Sequence, residues 1–330
     1  MSISPRSILV TGGTGFIGSA IVRRLVNDGH NVRVVDNDLR GSAARLSDLQ
    51  GRFELVVADV RDLEAMTKAA TGMDMVLHLA ALNGTENFYN RPDLVLDVGV
   101  RGMLATFDAA RAAGVKDFVL ASSSEAYQTP DVIPTPEKVD LRIPDPWNPR
   151  YSYGGSKLIS EIILANYHRD FFDRVVCFRP HNVYGPDMGW EHVIPQFALR
   201  IVDRIAETPE GPLSIEIQGD GSQTRAFIHI DDFVEGLLLV MFKGEHRNTY
   251  HIGTMTETTI ADLLRETARV LDREVDIRGG ALMEGSTERR GPDIRKLMAL
   301  GFAPAVSLQD GLDRTVSWYA EHAGDRPKKG

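Results

Sequence analysis

The run Val10-Thr11-Gly12-Gly13-Thr14-Gly15-Phe16-Ile17-Gly18 constrains the fold of this chain more than any other feature. Gly12, Gly15 and Gly18 follow GxxGxxG spacing. The apolar stretch Ser7 to Thr11 before them reads as a strand, and the residues after them read as a helix to about Asp28. Glycines there permit a tight turn and let backbone N–H groups approach a pyrophosphate at a helix N-terminus. A second strand, Asn31 to Asp36, ends in an acid, as a dinucleotide-binding βαβ unit requires. The Asp36 carboxylate is expected to accept hydrogen bonds from adenosine ribose hydroxyls and to repel a 2′-phosphate, which favours NAD. Arg40 nearby weakens that preference. The candidate cofactor contacts here are Gly12, Gly15, Phe16, Ile17, Gly18, Asp36, Asn37 and Arg40, with Asp59 and Val60 placed to meet the adenine. For Asp59, a helix cap is an equal reading.

The alternation continues. Strands are expected at Phe53 to Asp59, Met73 to Leu79, Asp117 to Ser122 and Arg174 to Arg179. Helices are expected at about Leu94 to Ala113 and Tyr153 to Phe171. This pattern predicts an α/β fold, a Rossmann-type doubly wound parallel sheet with a smaller C-terminal α/β substrate lobe. Residues 1–180 form the expected NAD-binding domain, with return segments at 226–252. The lobe takes 181–330, mainly 181–225 and 253–330. Helices are expected near Asp231–Phe242, Thr259–Leu271 and Leu308–Ala320, and a strand at Thr249–Ile252. Thr129 to Arg150 holds six prolines and reads as a loop, and Gly185 to Arg225 as short strands and turns. From Gly324 a basic tail is expected.

A net charge of -9 over 330 residues argues against nucleic acid, which needs a basic footprint. No apolar run approaches the ~20 residues of a membrane span, and no signal sequence is apparent, so a cytoplasmic setting is expected. The single cysteine, Cys177, lies in an apolar run and reads as a buried thiol. No metal site is expected.

Tyr153 and Lys157 stand four residues apart, on one face of a helix. A Lys ammonium beside a phenol favours the phenolate and lowers its pKa, which suits a general base. A serine cluster, Ser122-Ser123-Ser124, ends the strand before them.

Taken in order, these motifs resemble the extended short-chain dehydrogenase/reductase family, in particular its nucleotide-sugar epimerases, dehydratases and decarboxylases. The resemblance rests on TGGTGFIG, Asp36, His78-Leu79-Ala80-Ala81, Ser122 to Tyr127, Tyr153 with Lys157, Arg179 to Pro186, and Gln218 to Arg225. It implies that Tyr153 takes a sugar hydroxyl proton, Lys157 holds the nicotinamide ribose and Ser123 hydrogen-bonds the oxygen at the reacting carbon. Ser122 is then structural. Leu79, Ala80, Ala81 and Pro180 line the cofactor, and His78 needs no catalytic role. Ser124, Asn182, Val193, Arg225, Arg289 and Arg290 are the implied substrate contacts, with the arginines on the diphosphate.

The implied activity is NAD-dependent 4-epimerisation of a nucleotide-diphosphate sugar through a 4-keto intermediate, with NAD recycled. Glu125 opens alternatives, since a carboxylate there serves as acid or base in 4,6-dehydratases and uronate decarboxylases. A reading of another class is a non-catalytic NAD-binding sensor. A homodimer through the helices near Leu94–Ala113 and Tyr153–Phe171 is also implied. The chain departs from the family pattern at Gln128, where Gly is usual, at Gly99, where Asn is usual, and along Asn83 to Tyr89.

Overall fold

The computed structural model describes residues 4–281 and 287–327. The first strand, β1 (Ser7–Thr11), is buried along its length, and the glycine turn carries it into α1 (Phe16–Asn27). Next come β2 (Asn31–Asp36), β3 (Glu54–Val57), α2 (Leu63–Ala70) and β4 (Met75–His78). Then follow α3 (Thr85–Asn90), α4 (Pro92–Leu96), a π turn at Asp97–Arg101, α5 (Gly102–Ala112) and β5 (Asp117–Ala121). The first half closes with α6 (Ser152–Asn166) and β6 (Arg174–Pro180).

The second half begins with β7 (Val183–Tyr184), α7 (Val193–Glu207), β8 (Leu213–Gln218), β9 (Thr224–Ala226), β10 (Ile228–His229) and α8 (Ile230–Lys243). It continues with β11 (Asn248–Ile252), β12 (Glu257–Thr259), α9 (Ile260–Val270), β13 (Val275–Gly280), β14 (Arg289–Arg290), α10 (Arg295–Met298) and α11 (Leu308–Glu321).

Seven parallel strands make the central sheet in the order β11-β6-β5-β4-β1-β2-β3. The order reverses between β1 and β4, so the carboxyl ends of these strands open a crevice at the switch point. Both faces are covered. One core packs α1 and α8 on the sheet through Ile21, Leu25, Phe233 and Leu237, and another packs α2 and α5 through Met66, Met103 and Phe107. A third core, with Phe197, Ile201, Leu263 and Val316, joins α7, α9 and α11 in the C-terminal part.

Several expected elements change at their ends or in kind. The helix expected to run unbroken over Leu94–Ala113 is interrupted by the π turn. A Cβ on Gly99 would stand 2.6 Å from the Ser156 side chain, and the Gly99 carbonyl accepts from Ser160 Oγ at 3.3 Å. The π turn thus lies where this helix presses closest on α6. The helix expected to reach Phe171 stops at Asn166, and His168 adopts a positive φ of 50°.

The atypical segment Asn83–Tyr89 folds mostly into α3. The stretch Gly185–Arg225, read as turns and short strands, contains the 15-residue α7. Pro195 looks like a breaker there, but it falls in the first turn, where its missing N–H has no intrahelical partner anyway. Of the expected basic tail, residues 328–330 lie outside the described residues. No helix among the described residues is long and apolar enough to cross a membrane.

Candidate active site

One cleft of about 480 Å³ runs along the carboxyl ends of the strands. Its floor at one end is the glycine turn. Gly12 holds φ +72°, and a Cβ there would meet the Ala80 backbone nitrogen at 2.9 Å, so both conformation and space require glycine. Gly15 is the N-cap of α1 and supplies no side-chain cap, which leaves the helix N-terminal N–H groups to a ligand. Asp36 closes this end. Its Oδ2 accepts from the Thr14 N–H at 3.0 Å and its Oδ1 from the Asp38 N–H at 3.0 Å. A fixed, half-buried carboxylate beside an uncapped helix terminus fits the adenosine ribose and pyrophosphate of a dinucleotide.

Asn37, Asp59, Val60, Leu79, Ala80, Ala81 and Pro180 line the same cleft. Asp59 is not the helix cap, because Asp62 caps α2. Asp59 instead binds Arg61 and receives the Asn37 amide at 3.1 Å. Arg40, which lines the same cleft, donates to the Asn83 carbonyl.

The reacting end is built by α6 and by the turn after β5. Tyr153 and Lys157 are buried, one helical turn apart. Lys157 Nζ donates to the Ala121 carbonyl at 2.8 Å and lies 5.7 Å from the centre of the Tyr153 ring. Burial lowers the Lys157 ammonium to about 8. Burial also pushes the Tyr153 phenol up to about 12, against the Ser123 hydroxyl and the Arg40 guanidinium, which pull it down. This corrects the expectation that Lys157 alone would leave the phenol lowered: in the closed, buried site desolvation outweighs the nearby cations.

Ser123 caps the short turn after β5, accepting from the Glu125 N–H at 3.1 Å. Ser122, also at the cleft wall, has its hydroxyl engaged by Glu161, which is consistent with a structural role. His78 is pinned by Thr11 Oγ1 at 2.8 Å, and burial keeps it neutral at about 3.

Glu125 sits between two arginines. Arg290 Nη1 stands 2.6 Å from Oε1, and Arg150 Nη2 stands 3.1 Å from Oε2. Burial alone would raise the carboxyl, but the two guanidinium groups hold it down at about 2. Arg150 Nη1 and Arg290 Nε, both buried, have no hydrogen-bond partner. Arg225 is fixed behind them by the Thr224 and Thr287 carbonyls at 2.7 and 2.8 Å. Burial lowers it to about 10, with Arg290 adding to the effect.

Ser124 and Asn182 line the cleft; Arg225, Arg289 and Val193 do not. Arg289 is exposed and paired with Glu257 at 2.7 Å, and Val193 begins α7 and packs on its core.

Arg150, Phe88, Glu191 and His192 also line the cleft and escaped the sequence reading. Phe88 stacks on Tyr153 with centroids 5.3 Å apart, and Arg150 stands 5.3 Å over Phe88. Arg150 precedes Tyr153 by three residues, so one helical turn was the available signal. Glu191 and His192 arrive by tertiary folding alone.

A model of the NAD dependent epimerase/dehydratase family matches residues 8–253. The UDP-glucuronic acid decarboxylase 1 of Xenopus tropicalis is 30% identical over 319 residues, covering 95% of this chain and 72% of that protein. Among solved structures, the dTDP-glucose 4,6-dehydratase DesIV of Streptomyces venezuelae, with NAD bound, superposes with a TM-score of 0.85. It is 32% identical and covers 97% of this chain and 98% of its own. The UDP-glucose 4-epimerase of Thermotoga maritima, with UDP-glucose, gives 0.83 at 30% identity, over 96% and 99% of the two chains.

Proposed function

Because this chain belongs to the NAD-dependent epimerase/dehydratase family, we propose that it is a nucleotide-sugar 4-epimerase working through a transient 4-keto sugar. The observation that carries the choice is the state of Glu125. A 4,6-dehydratase needs an acid to protonate the departing C6 hydroxyl. A carboxylate held at about 2 by Arg290 and Arg150 has no proton to give near neutrality. The site therefore favours oxidation at C4 and its reversal.

In this reading Tyr153 Oη takes the C4 hydroxyl proton and later returns it. Ser123 Oγ aligns the same oxygen, and Lys157 binds the nicotinamide ribose and supports the phenolate. NAD, when bound, supplies the acceptor and donor of hydride. Gly12, Gly15 and Gly18 hold its pyrophosphate, with Asp36 on the adenosine ribose. Arg290, with Arg225 behind it, stabilises the substrate diphosphate, and Ser124 and Asn182 contact the sugar nucleotide. Residues 1–180 with 226–252 form the NAD-binding unit, and 181–225 with 253–330 the sugar-nucleotide unit.

One observation favours a second reading, a uronate decarboxylase. Arg150 Nη1 and Arg290 Nε are buried cationic donors without partners, and a sugar carboxylate at C6 would satisfy them. A substrate deuterated at C4 separates the outcomes. The epimerase returns deuterium to C4 at unchanged mass, a dehydratase moves it to C6 with loss of water, and a decarboxylase loses carbon dioxide.

A further inference from the structure

Arg45 lies in the short 3-10 helix Ala43–Leu49 after β2, and neither the glycine turn nor the Tyr153 end of the cleft accounts for it. Its guanidinium meets Asp187 bidentately, Nε to Oδ2 at 2.6 Å and Nη2 to Oδ1 at 2.9 Å, and Nη2 also reaches the Asp187 carbonyl at 3.1 Å. The remaining nitrogen, Nη1, donates to the Thr14 carbonyl at 3.2 Å. One side chain thus joins the glycine turn to the loop that follows β7.

Both anchors are themselves fixed. Thr14 donates from Oγ1 to Asp38 at 2.7 Å, and its carbonyl accepts from the Ser42 N–H at 3.1 Å. Gly41 lies so close that a Cβ there would meet the Thr14 carbonyl carbon at 2.9 Å. On the far side, Tyr319 Oη donates to the Gly189 carbonyl, and Trp190 packs edge-on against Tyr319 with centroids 5.3 Å apart. Arg40, just before that short helix, bonds the Asn83 carbonyl. Arg40, Arg45 and Gly189 line the cleft together with Gly12 and Asp36.

We infer that Arg45 and Asp187 form a clasp across the dinucleotide end of the cleft that retains NAD between turnovers. A bidentate arginine–carboxylate pair with a largely buried guanidinium is more directional and more durable than an ordinary surface ion pair. Widening this end enough to release a dinucleotide breaks that pair and the Thr14 bond together. The inference rests on NAD as the resident cofactor and not on which sugar reaction follows. A catalyst that takes back its own hydride has no need to exchange the cofactor, and a clasp suits that economy.

The test is release of radiolabelled NAD from loaded protein into excess unlabelled NAD, followed by rapid gel filtration. Arg45→Met and Asp187→Asn are each expected to speed release by about tenfold or more. The double substitution is expected to add little beyond Arg45→Met, because that variant already loses the Asp187 pair together with the Thr14 bond. The charge-swapped pair Arg45→Asp with Asp187→Arg restores the pair but not the Thr14 bond, so it is expected to recover part of the slow release, which separates the clasp from a general loss of folding. Single variants that release NAD within about twofold of the unsubstituted protein overturn the clasp. So do fully additive effects, or a swapped pair as fast as the singles. Product analysis on the same samples is independent of release, so a wrong sugar reaction would leave this result intact.

Discussion

At the residue scale the proposed chemistry rests on three side chains whose environments differ sharply. Tyr153 is pushed up to about 12 by burial when no cofactor is present, so its work as a base would depend on the positive charge that bound NAD+ adds beside Lys157. Tyr153→Phe is expected to lower turnover by about a thousandfold while bound NAD, measured after denaturation, is unchanged. Lys157→Met removes the ammonium 5.7 Å from the Tyr153 ring centre, and the rising limb of kcat/KM against pH is expected to move to higher pH. Glu125 carries the opposite shift, from 4.5 down to about 2. A depressed carboxyl stabilises the fold above its unfolded pKa and loses that contribution as pH falls through its folded one. Glu125→Gln is therefore expected to cost on the order of 3 kcal/mol at neutral pH. In denaturant titrations its deficit relative to the unsubstituted protein should shrink between pH 4.5 and 2. Tyr153 and Lys157 were legible because their spacing is local, whereas Ser123 was legible only through the family resemblance. The pairing of Glu125 with Arg290 was not, since 165 residues separate them and only the fold brings them to 2.6 Å.

At the scale of elements, two departures from the family pattern have steric partners. Gln128 holds φ 55° and sends its amide to the Glu125 carbonyl at 2.6 Å, over the start of α6. A Cβ on Gly154 would meet that same carbonyl at 2.8 Å and run into the Gln128 amide. Helix propensity favours Ala over Gly by about 1 kcal/mol, but overpacking costs about 1–3 kcal/mol. Gly154→Ala is thus expected to lower the melting temperature, and adding Gln128→Gly to recover part of the loss. A Gly154→Ala protein more stable than the parent would contradict this packing. Gly99 meets Ser156 in the same way at the π turn. The strands of the parallel sheet were legible from apolar runs, within one or two residues for β1, β2, β5 and β11. α7 was not, although Ile194, Phe197, Ala198 and Ile201 carry a helical stripe, because Pro195 reads as a break until its place in the first turn is known.

At the scale of the whole molecule, β11 returns beside β6 to complete the sheet, and the cleft lies at its switch point with the 185–192 loop on its far side. α6 also leaves apolar surface uncovered: Ile162 is 53% and Ile159 40% exposed. We propose that this face, with Leu96 of α4, forms a homodimer contact. Ile162→Asp is expected to shift the mass seen by light scattering from dimer to monomer, and an unchanged mass would contradict that contact. The glycine turn made a dinucleotide-binding fold legible from the chain, and the ordered motifs through Tyr153 and Lys157 made its enzyme family legible. The reaction was not, because it depends on how arginines distant in sequence surround one carboxylate. The most direct measurement of the central claim is mass spectrometry and NMR of products from a panel of uridine, guanosine, cytidine and deoxythymidine diphosphate sugars. A 4-epimerase gives an isobaric product with new couplings at C4 and no accumulation of NADH. A product lighter by water or by carbon dioxide, or NADH released in step with substrate consumed, would contradict that claim.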